Sequence, residues 1–416
     1  MRLLRVFRRP VSVAAALGVA LAVLTPPGAA AVPASVAAPA PATMETIFNE
    51  PSERGDRDHR IEKRLLELVN GAPAGSEINF SVYSWTRPAV AEALVEAQQR
   101  GVSVRIAIDG GADDNAANNA MKVLKSAKFT KLVFCGPGGK NTACIANRGV
   151  PHSINHNKLW MFSETGGLKD VVVVSSHNLT TTQGNLFNHA LLMSGDADLY
   201  GYYRKHVDRM LAQRKDNNYA QNGGYHKSVP SLVTTYMSPR ADSKGGRSQE
   251  HSTDIYTQIL KYINRFESGC SLDVAQANIA DTRSVVVDEI TRIARLGCKV
   301  RVVYDSMGSK NLGKLKGKAN ISLKRYLDND ADNIDGRKVS LHSKYMIYKG
   351  HYNKTANRSI VFSGSQNLSG AALRSNDEIL TKVENATVSR GFNENFSKLW
   401  SRAKCSRPQE GEGSCP

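Results

Sequence analysis

Six cysteines are present, but no C-x-x-C pair occurs among them. That excludes a zinc ribbon or a thioredoxin-type redox motif. After Leu24 no apolar run approaches the roughly 18 residues that a membrane-spanning helix needs. Aromatic residues make up 7% of the chain. They are nowhere interleaved with basic ones into a strip on which nucleic-acid bases could stack, and no amphipathic membrane-surface helix stands out. Acidic residues are the scarcer sign, 38 against 55 Lys and Arg, for a net charge of +17. A cationic partner is thereby disfavoured. Nucleic acid, anionic lipid surfaces and cell-wall polymers all fit, and charge alone does not choose among them.

Arg2, Arg5, Arg8 and Arg9 precede an apolar stretch from Val11 to Leu24, followed by small residues through Gly28, Ala29, Ala30 and Ala31. This is the layout of an export signal, too short to span a membrane. Residues 1–31 are expected to be removed, leaving a secreted, soluble protein. An Ala/Pro-rich leader is expected over residues 32–45. Without the four arginines the net charge is about +13. Cysteines in an exported chain suggest disulfides, and six of them allow about fifteen connectivities. Proximity along the chain favours Cys135–Cys144, Cys270–Cys298 and Cys405–Cys415.

The chain is an internal repeat. "RIEKRLLELVNGA" has helical apolar spacing, "EINFSVYSW" alternates as a strand, "PAVAEALVEAQQRG" is a helix opened by Pro88, and "VSVRIAIDGG" is a buried strand. "DIYTQILKYINRF", "SLDVAQANI", "SVVVDEITRIARLG" and "CKVRVVYDSM" repeat that order, pairing Gly101 with Gly297 and Asp109 with Asp305. Helices alternating with apolar strands imply an α/β fold, two similar halves each with a mixed sheet covered by helices. The first half is expected over residues 46–212 and a linker and crossover over 213–250. The second half is expected over 251–405 and a tail over 406–416.

Each half then carries a His-x-Lys inside an apolar segment, "INHNKLWMF" and "VSLHSKYMIY". On a strand, residues i and i+2 share a face, so His156 projects with Lys158 and His342 with Lys344. Each pair is followed by a strand ending in Ser-x-Asn: Ser176 with Asn178, and Ser365 with Asn367. If the halves pair about a pseudo-two-fold axis, two imidazoles, two ammonium groups and two carboxamides converge. Such a set suits a phosphodiester and its more charged transition state, with the lysines, asparagines and serines binding phosphate. One imidazole can attack phosphorus and the other protonate the leaving oxygen. No metal or other cofactor is required by this reading. A site completed within one chain predicts a monomer. Among the other histidines, His59, His206 and His251 are expected at the surface and His152 in a loop, and His177 should face away from Ser176 and Asn178. Asp109 and Asp305 end buried strands where α/β sites often form, and a turn or capping role fits them equally.

This pattern resembles the phospholipase D superfamily, with its two H-x-K-x₄-D motifs and G-S-x-N-like elements, and "FSGSQNLSG" is an especially close match. The resemblance covers nearly all of the mature chain. It implies a shared site between two α/β halves and metal-independent phosphodiester chemistry through a phosphohistidine. The motif aspartates are missing, with Ser163 and Lys349 in their places. The resemblance also implies an acid, in a pattern N-x-E, that orients the histidine of the opposite half. Glu378 in "NDE" fills that role toward His156, whereas "NHA" places Ala190 at the matching position. His156 is thus expected as nucleophile and His342 as general acid.

Three functional readings follow. The first is a secreted phospholipase D that hydrolyses or exchanges glycerophospholipid headgroups in peripheral contact with a lipid surface. Its contacts would come from loops such as "CGPGGKNTAC" or residues 216–225. The second is a secreted metal-independent nuclease with the same site, and the third a binding protein with a vestigial one. Export, disulfides and fused halves favour the first.

Overall fold

The computed structural model describes residues 42–52, 56–113, 118–136, 141–148, 152–241, 254–326 and 339–403. The expected export signal, most of the expected leader, His251, Cys405, Cys415 and the expected tail lie outside the described residues. The two other expected disulfides, Cys135–Cys144 and Cys270–Cys298, are formed. No described helix is long and apolar enough to cross a membrane.

The first half builds a mixed sheet from β1 (Thr43–Asn49), β2 (Glu77–Val82), β3 (Ser103–Ile108), β4 (Lys131–Phe134), β5 (Lys158–Thr165), β6 (Leu168–Ser175) and β7 (Leu186–Ser194), in the order β1-β7-β6-β5-β2-β3-β4. Helices α1 (Arg60–Asn70), α2 (Pro88–Gln99) and α3 (Asn119–Ser126) cover its outer face, and α4 (Ala197–Leu211) packs on the inner one. A four-residue turn of helix, α5 (Tyr219–Asn222), leads into the second half.

The strands of the second sheet are β8 (Tyr225–Ser228), β9 (Val233–Met237), β10 (Ser271–Ile279), β11 (Lys299–Met307), β12 (Ile321–Arg325), β14 (Lys344–Tyr352), β15 (Thr355–Gly364) and β16 (Ile379–Val383). They run in the order β12-β11-β10-β14-β15-β16-β9-β8. Its outer face is covered by α6 (Ile255–Leu260), α7 (Ser284–Arg295) and α8 (Ser309–Leu315), and α9 (Ala386–Arg402) closes the inner face. One apolar core, from Phe48 and Leu191 to Tyr345 and Phe396, fills the space between the sheets, and a separate core lies under the outer helices of each half. The two-residue strand β13 (Ser340–Leu341) leaves its own half and pairs in parallel with β7.

The repeat is visible in backbone detail. In both halves the first two strands pair in parallel, Glu77 beside Ser103 and Ser271 beside Lys299. Gly101 and Gly297 end the preceding helices at φ of +91° and +103°, a left-handed conformation that side chains with a Cβ resist.

Three stretches differ from expectation. β1 starts at Thr43, inside the expected leader, because its whole length finds ladder partners on β7. The expected linker contributes β8 and β9, and β9 pairs with β16, so Tyr225–Ser228 and Val233–Met237 belong to the second sheet. The helix expected over "DIYTQILKYINRF" stops at Leu260. His206 is not at the surface. It is fully buried on α4, stacked on Tyr219 at 5.5 Å, with Nδ1 3.2 Å from the Tyr219 hydroxyl. Its spacing from Tyr203, Val207 and Met210 puts it on the helix's apolar face.

Candidate active site

The two His-x-Lys segments meet where the halves face each other. Each histidine sits just before its strand, not within it, for β5 starts at Lys158 and β14 at Lys344. Each is held by backbone from the opposite half. His156 N–H donates to the Asp377 carbonyl at 3.0 Å, and His342 N–H donates to the Phe187 carbonyl at 2.9 Å. The bridge Asn155–Asp377 and the short β13–β7 pairing are the two copies of one interlock.

This symmetry identifies what stands behind each imidazole. Glu378 follows Asp377, is fully buried, and brings its carboxylate to 2.9 Å from His156 Nδ1. Asn188 follows Phe187, and its Oδ1 lies 2.9 Å from His342 Nδ1. Asn188 therefore occupies the place for which the sequence pattern offered Ala190. Ala190 lies deeper along β7, opposite Ser175 and Ile47. In both halves Nδ1 carries the proton toward its partner, which leaves Nε2 as the reactive nitrogen.

The serines of the Ser-x-Asn elements take a different part from the phosphate contacts expected of them. The Ser365 hydroxyl donates to Glu378 at 2.5 Å, and the Ser176 hydroxyl donates to Asn188 at 2.9 Å. A hydroxyl has one proton, so these two hold the residues behind the histidines and have none left for a phosphate oxygen. Asn178 and Asn367 follow the ends of β6 and β15, half-buried, and neither Oδ1 has a hydrogen-bond partner among the described residues.

Lys158 and Lys344 are almost fully buried, and each ammonium donates to the carbonyl of its own histidine. Burial pushes Lys158 down to about 7, against the pull of Glu378 and Asp109. Burial also drives Lys344 well below its ordinary value, and Lys158 adds to that. Both histidines are lowered too, chiefly by burial, with the lysines contributing and Glu378 opposing at His156. Buried ammonium groups of this kind cost several kcal/mol unless an anion answers them. An anion held between them would offset that cost.

Three other residues, Tyr83, Asp377 and Asn188, escaped notice in the sequence, and Asp109 was marked there only by its place at the end of a strand. Tyr83 lies with its ring centroid 5.1 Å from that of His156 and 5.0 Å from the Lys158 ammonium. Asp377 accepts from the backbone N–H groups of Cys144, Ile145 and Ala146 at 2.7–2.9 Å. Asp109 accepts from Asn155 N–H at 2.6 Å and from the Thr142 hydroxyl at 2.9 Å. Residues 142–146 and Asn155 are thus held by one carboxylate from each half. Burial raises both aspartates to about 6. Asp305, the counterpart of Asp109, is half-buried.

The remaining residues lie apart from this chemistry. His177 faces the outer core, its ring 6.4 Å from Trp160, while His152 is exposed and His59 half-buried. Ser163, where a motif aspartate is missing, accepts from Glu77 N–H at 2.8 Å, and Lys349 is exposed on β14.

A family model described as cardiolipin synthase, PLD-like domain, matches residues 65–211 and again 259–400. The chain belongs to the phospholipase D superfamily. Superfamily members act on phosphodiesters. The phosphatidylserine synthase of Haemophilus influenzae Rd KW20 shares this fold over 87% of both chains, at 12% identity and a TM-score of 0.56. A polyphosphate kinase of Porphyromonas gingivalis aligns over 89% of this chain at 13% identity and a TM-score of 0.54. The chain spans about half of that kinase, 53%. Nuc of Salmonella typhimurium, a phospholipase D family member, aligns with 41% of this chain over 95% of its own length, at 21% identity and a TM-score of 0.31. No curated protein matches the chain in sequence.

Proposed function

We propose that this phospholipase D superfamily member is a secreted phosphodiesterase that removes, and can exchange, the headgroups of glycerophospholipids through a phosphohistidine. The observation that carries the reading is the unequal pairing of two otherwise symmetric histidines, one on a carboxylate and one on a carboxamide. Attack on phosphorus by His156 Nε2 leaves a cationic phospho-imidazole, whose charge Glu378 neutralises. His342 rests on neutral Asn188, so its imidazolium is the more acidic and yields its proton to the leaving oxygen. Lys158, Lys344, Asn178 and Asn367 surround the phosphoryl oxygens, and the ammonium groups supply the positive charge. In the second step water or an alcohol gives its proton to His342 as its oxygen displaces His156 from phosphorus.

Lipid is favoured over nucleic acid by two fused halves and by the absence of a stacking strip. The relatives' names point the same way, since phosphatidylserine synthase and cardiolipin synthase are both named for phospholipid products. Two disulfides are compatible with export.

The test is product release in excess EDTA from phosphatidylcholine vesicles and, separately, from single- and double-stranded DNA. His156→Asn serves as control. Choline release that the substitution abolishes is the expected result. DNA cleavage without choline release would establish the nuclease instead.

A further inference from the structure

Superposing the halves by their backbone pairing brings Tyr83 and Ala277 into correspondence. Val82 lies opposite Lys158 and Gln276 opposite Lys344. One residue beyond their neighbours, Ser84 and Asn278 accept from Leu179 N–H and Leu368 N–H at the same 3.0 Å. The residue between, on each side, stands next to a His-Lys pair. In the first half it is a tyrosine whose ring lies against both members of the pair. In the second it is a methyl group, with Ala277 N–H bonded to the Ser343 carbonyl between His342 and Lys344. Among the described residues no aromatic ring lies against His342. His156 is 8% exposed, whereas His342 is only half-buried.

These differences agree with the one behind the imidazoles. An in-line displacement places the leaving oxygen opposite the attacking nitrogen. A nucleophile needs no room for traffic, while the opposite side must release one alcohol and admit another. We propose that the alcohol subsite, which releases the leaving headgroup and receives the acceptor, lies beside His342 and Lys344 against Ala277. Tyr83 fills the equivalent space beside His156 and Lys158. The ligand class is an alcohol larger than water, and Ala277 sets how large. This rests on the phosphohistidine reading above. In the step concerned, the acceptor oxygen bonds to phosphorus, the N–P bond to His156 breaks, and the acceptor proton passes to His342 Nε2.

The experiment measures partition with full-length mature protein and phosphatidylcholine vesicles. The ratio of phosphatidylalcohol to phosphatidic acid is read with methanol and with benzyl alcohol as acceptors, for wild type, Ala277→Val, Ala277→Leu and Tyr83→Ala. Ala277→Leu should lower the benzyl ratio about tenfold, a typical effect of crowding an apolar pocket. The methanol ratio should move less than about twofold, with Val intermediate and carrying the same expectation should Leu not fold. Tyr83→Ala should change the rate of phosphoenzyme formation and leave both ratios as they are. Unchanged ratios in both Ala277 variants would overturn the proposal, as would a benzyl ratio that responds to Tyr83→Ala instead. Absence of any phosphohistidine in the wild type after rapid denaturation in alkaline detergent, where the P–N bond survives, is a separate result. It removes the catalytic reading and this subsite with it.

Discussion

The Oδ1 atom of Asn188 lies 2.9 Å from Nδ1 of His342, in the place that Glu378 takes beside His156. A carboxamide and a carboxylate on the same site of two equivalent imidazoles give them different basicities. A carboxylate within hydrogen-bond reach favours the imidazolium by one or more pKa units, and an amide does not. Asn188→Asp should therefore raise His342, extend its protonated form to higher pH, and move the alkaline limb of the kcat/KM profile upward by about one unit. Glu378→Gln should instead slow phosphoenzyme formation by about a hundredfold, the scale of one lost electrostatic contact to a developing charge. A profile whose alkaline limb ignores Asn188→Asp would show that His342 is not the acid.

A second prediction concerns Lys158. Burial sets it at about 7 in the free protein, and a bound phosphodiester anion must raise it. Between the free and bound values, binding takes up a proton, so affinity falls by up to about tenfold per pH unit above 7. Dimethyl phosphate does not itself titrate in this range and is a suitable probe. Calorimetry at pH 8 in two buffers of different ionisation enthalpy should show proton uptake, and Lys158→Met should diminish it. Buffer-independent heats in the wild type would contradict the assignment.

The two His-x-Lys pairs of the candidate site were legible because a duplicated motif is conspicuous wherever it is read. Asn188 was not, and the reason is a matter of register. From Ser176 to Asn188 is 12 residues, whereas from Ser365 to Glu378 is 13. The two turns differ accordingly, a 3₁₀ turn at Thr181–Asn185 against a single π turn at Ala371–Ser375. Matching Asn188 to Asn376 by identity thus slips the strand by two positions. Backbone pairing, Ser176 N–H to His189 and Ser365 N–H to Ile379, restores it. Tyr83 and Asp377 were invisible for another reason. Their roles depend on contacts across sheet ends and between halves, which no local period records.

A third prediction tests the clamp on residues 144–146, ahead of His156. Asp377→Ala leaves three backbone N–H groups, of Cys144, Ile145 and Ala146, without their acceptor in a buried place. The cost should be about 3 kcal/mol, since each orphaned donor costs roughly 1 kcal/mol or more. Urea unfolding with disulfides intact measures it. A loss below about 1 kcal/mol would mean that the loop finds other partners and that Asp377 does not hold it.

The last prediction is the pH dependence of folding. Burial lowers His177, His189 and His206 to about 3, against roughly 6.5 in the unfolded chain. Between those values the unfolded state binds more protons, so each contributes stability that is complete above pH 6.5 and is lost as pH falls through the window. Asp109 and Asp377, raised to about 6, act in the opposite sense between roughly 3.8 and 6. His156 and His342, also lowered by burial, act with these three, and together they outweigh the two carboxyls, leaving a net loss on acidification below about pH 6.5. His206→Gln removes one of the three. Its destabilisation relative to wild type should shrink by about 2 kcal/mol between pH 7 and pH 5, one pKa unit being about 1.4 kcal/mol. Denaturant titrations of both proteins at the two pH values decide the matter. A penalty equal at pH 5 and pH 7 would show that His206 titrates normally in the folded protein, and that Tyr219 shields it from neither water nor protons.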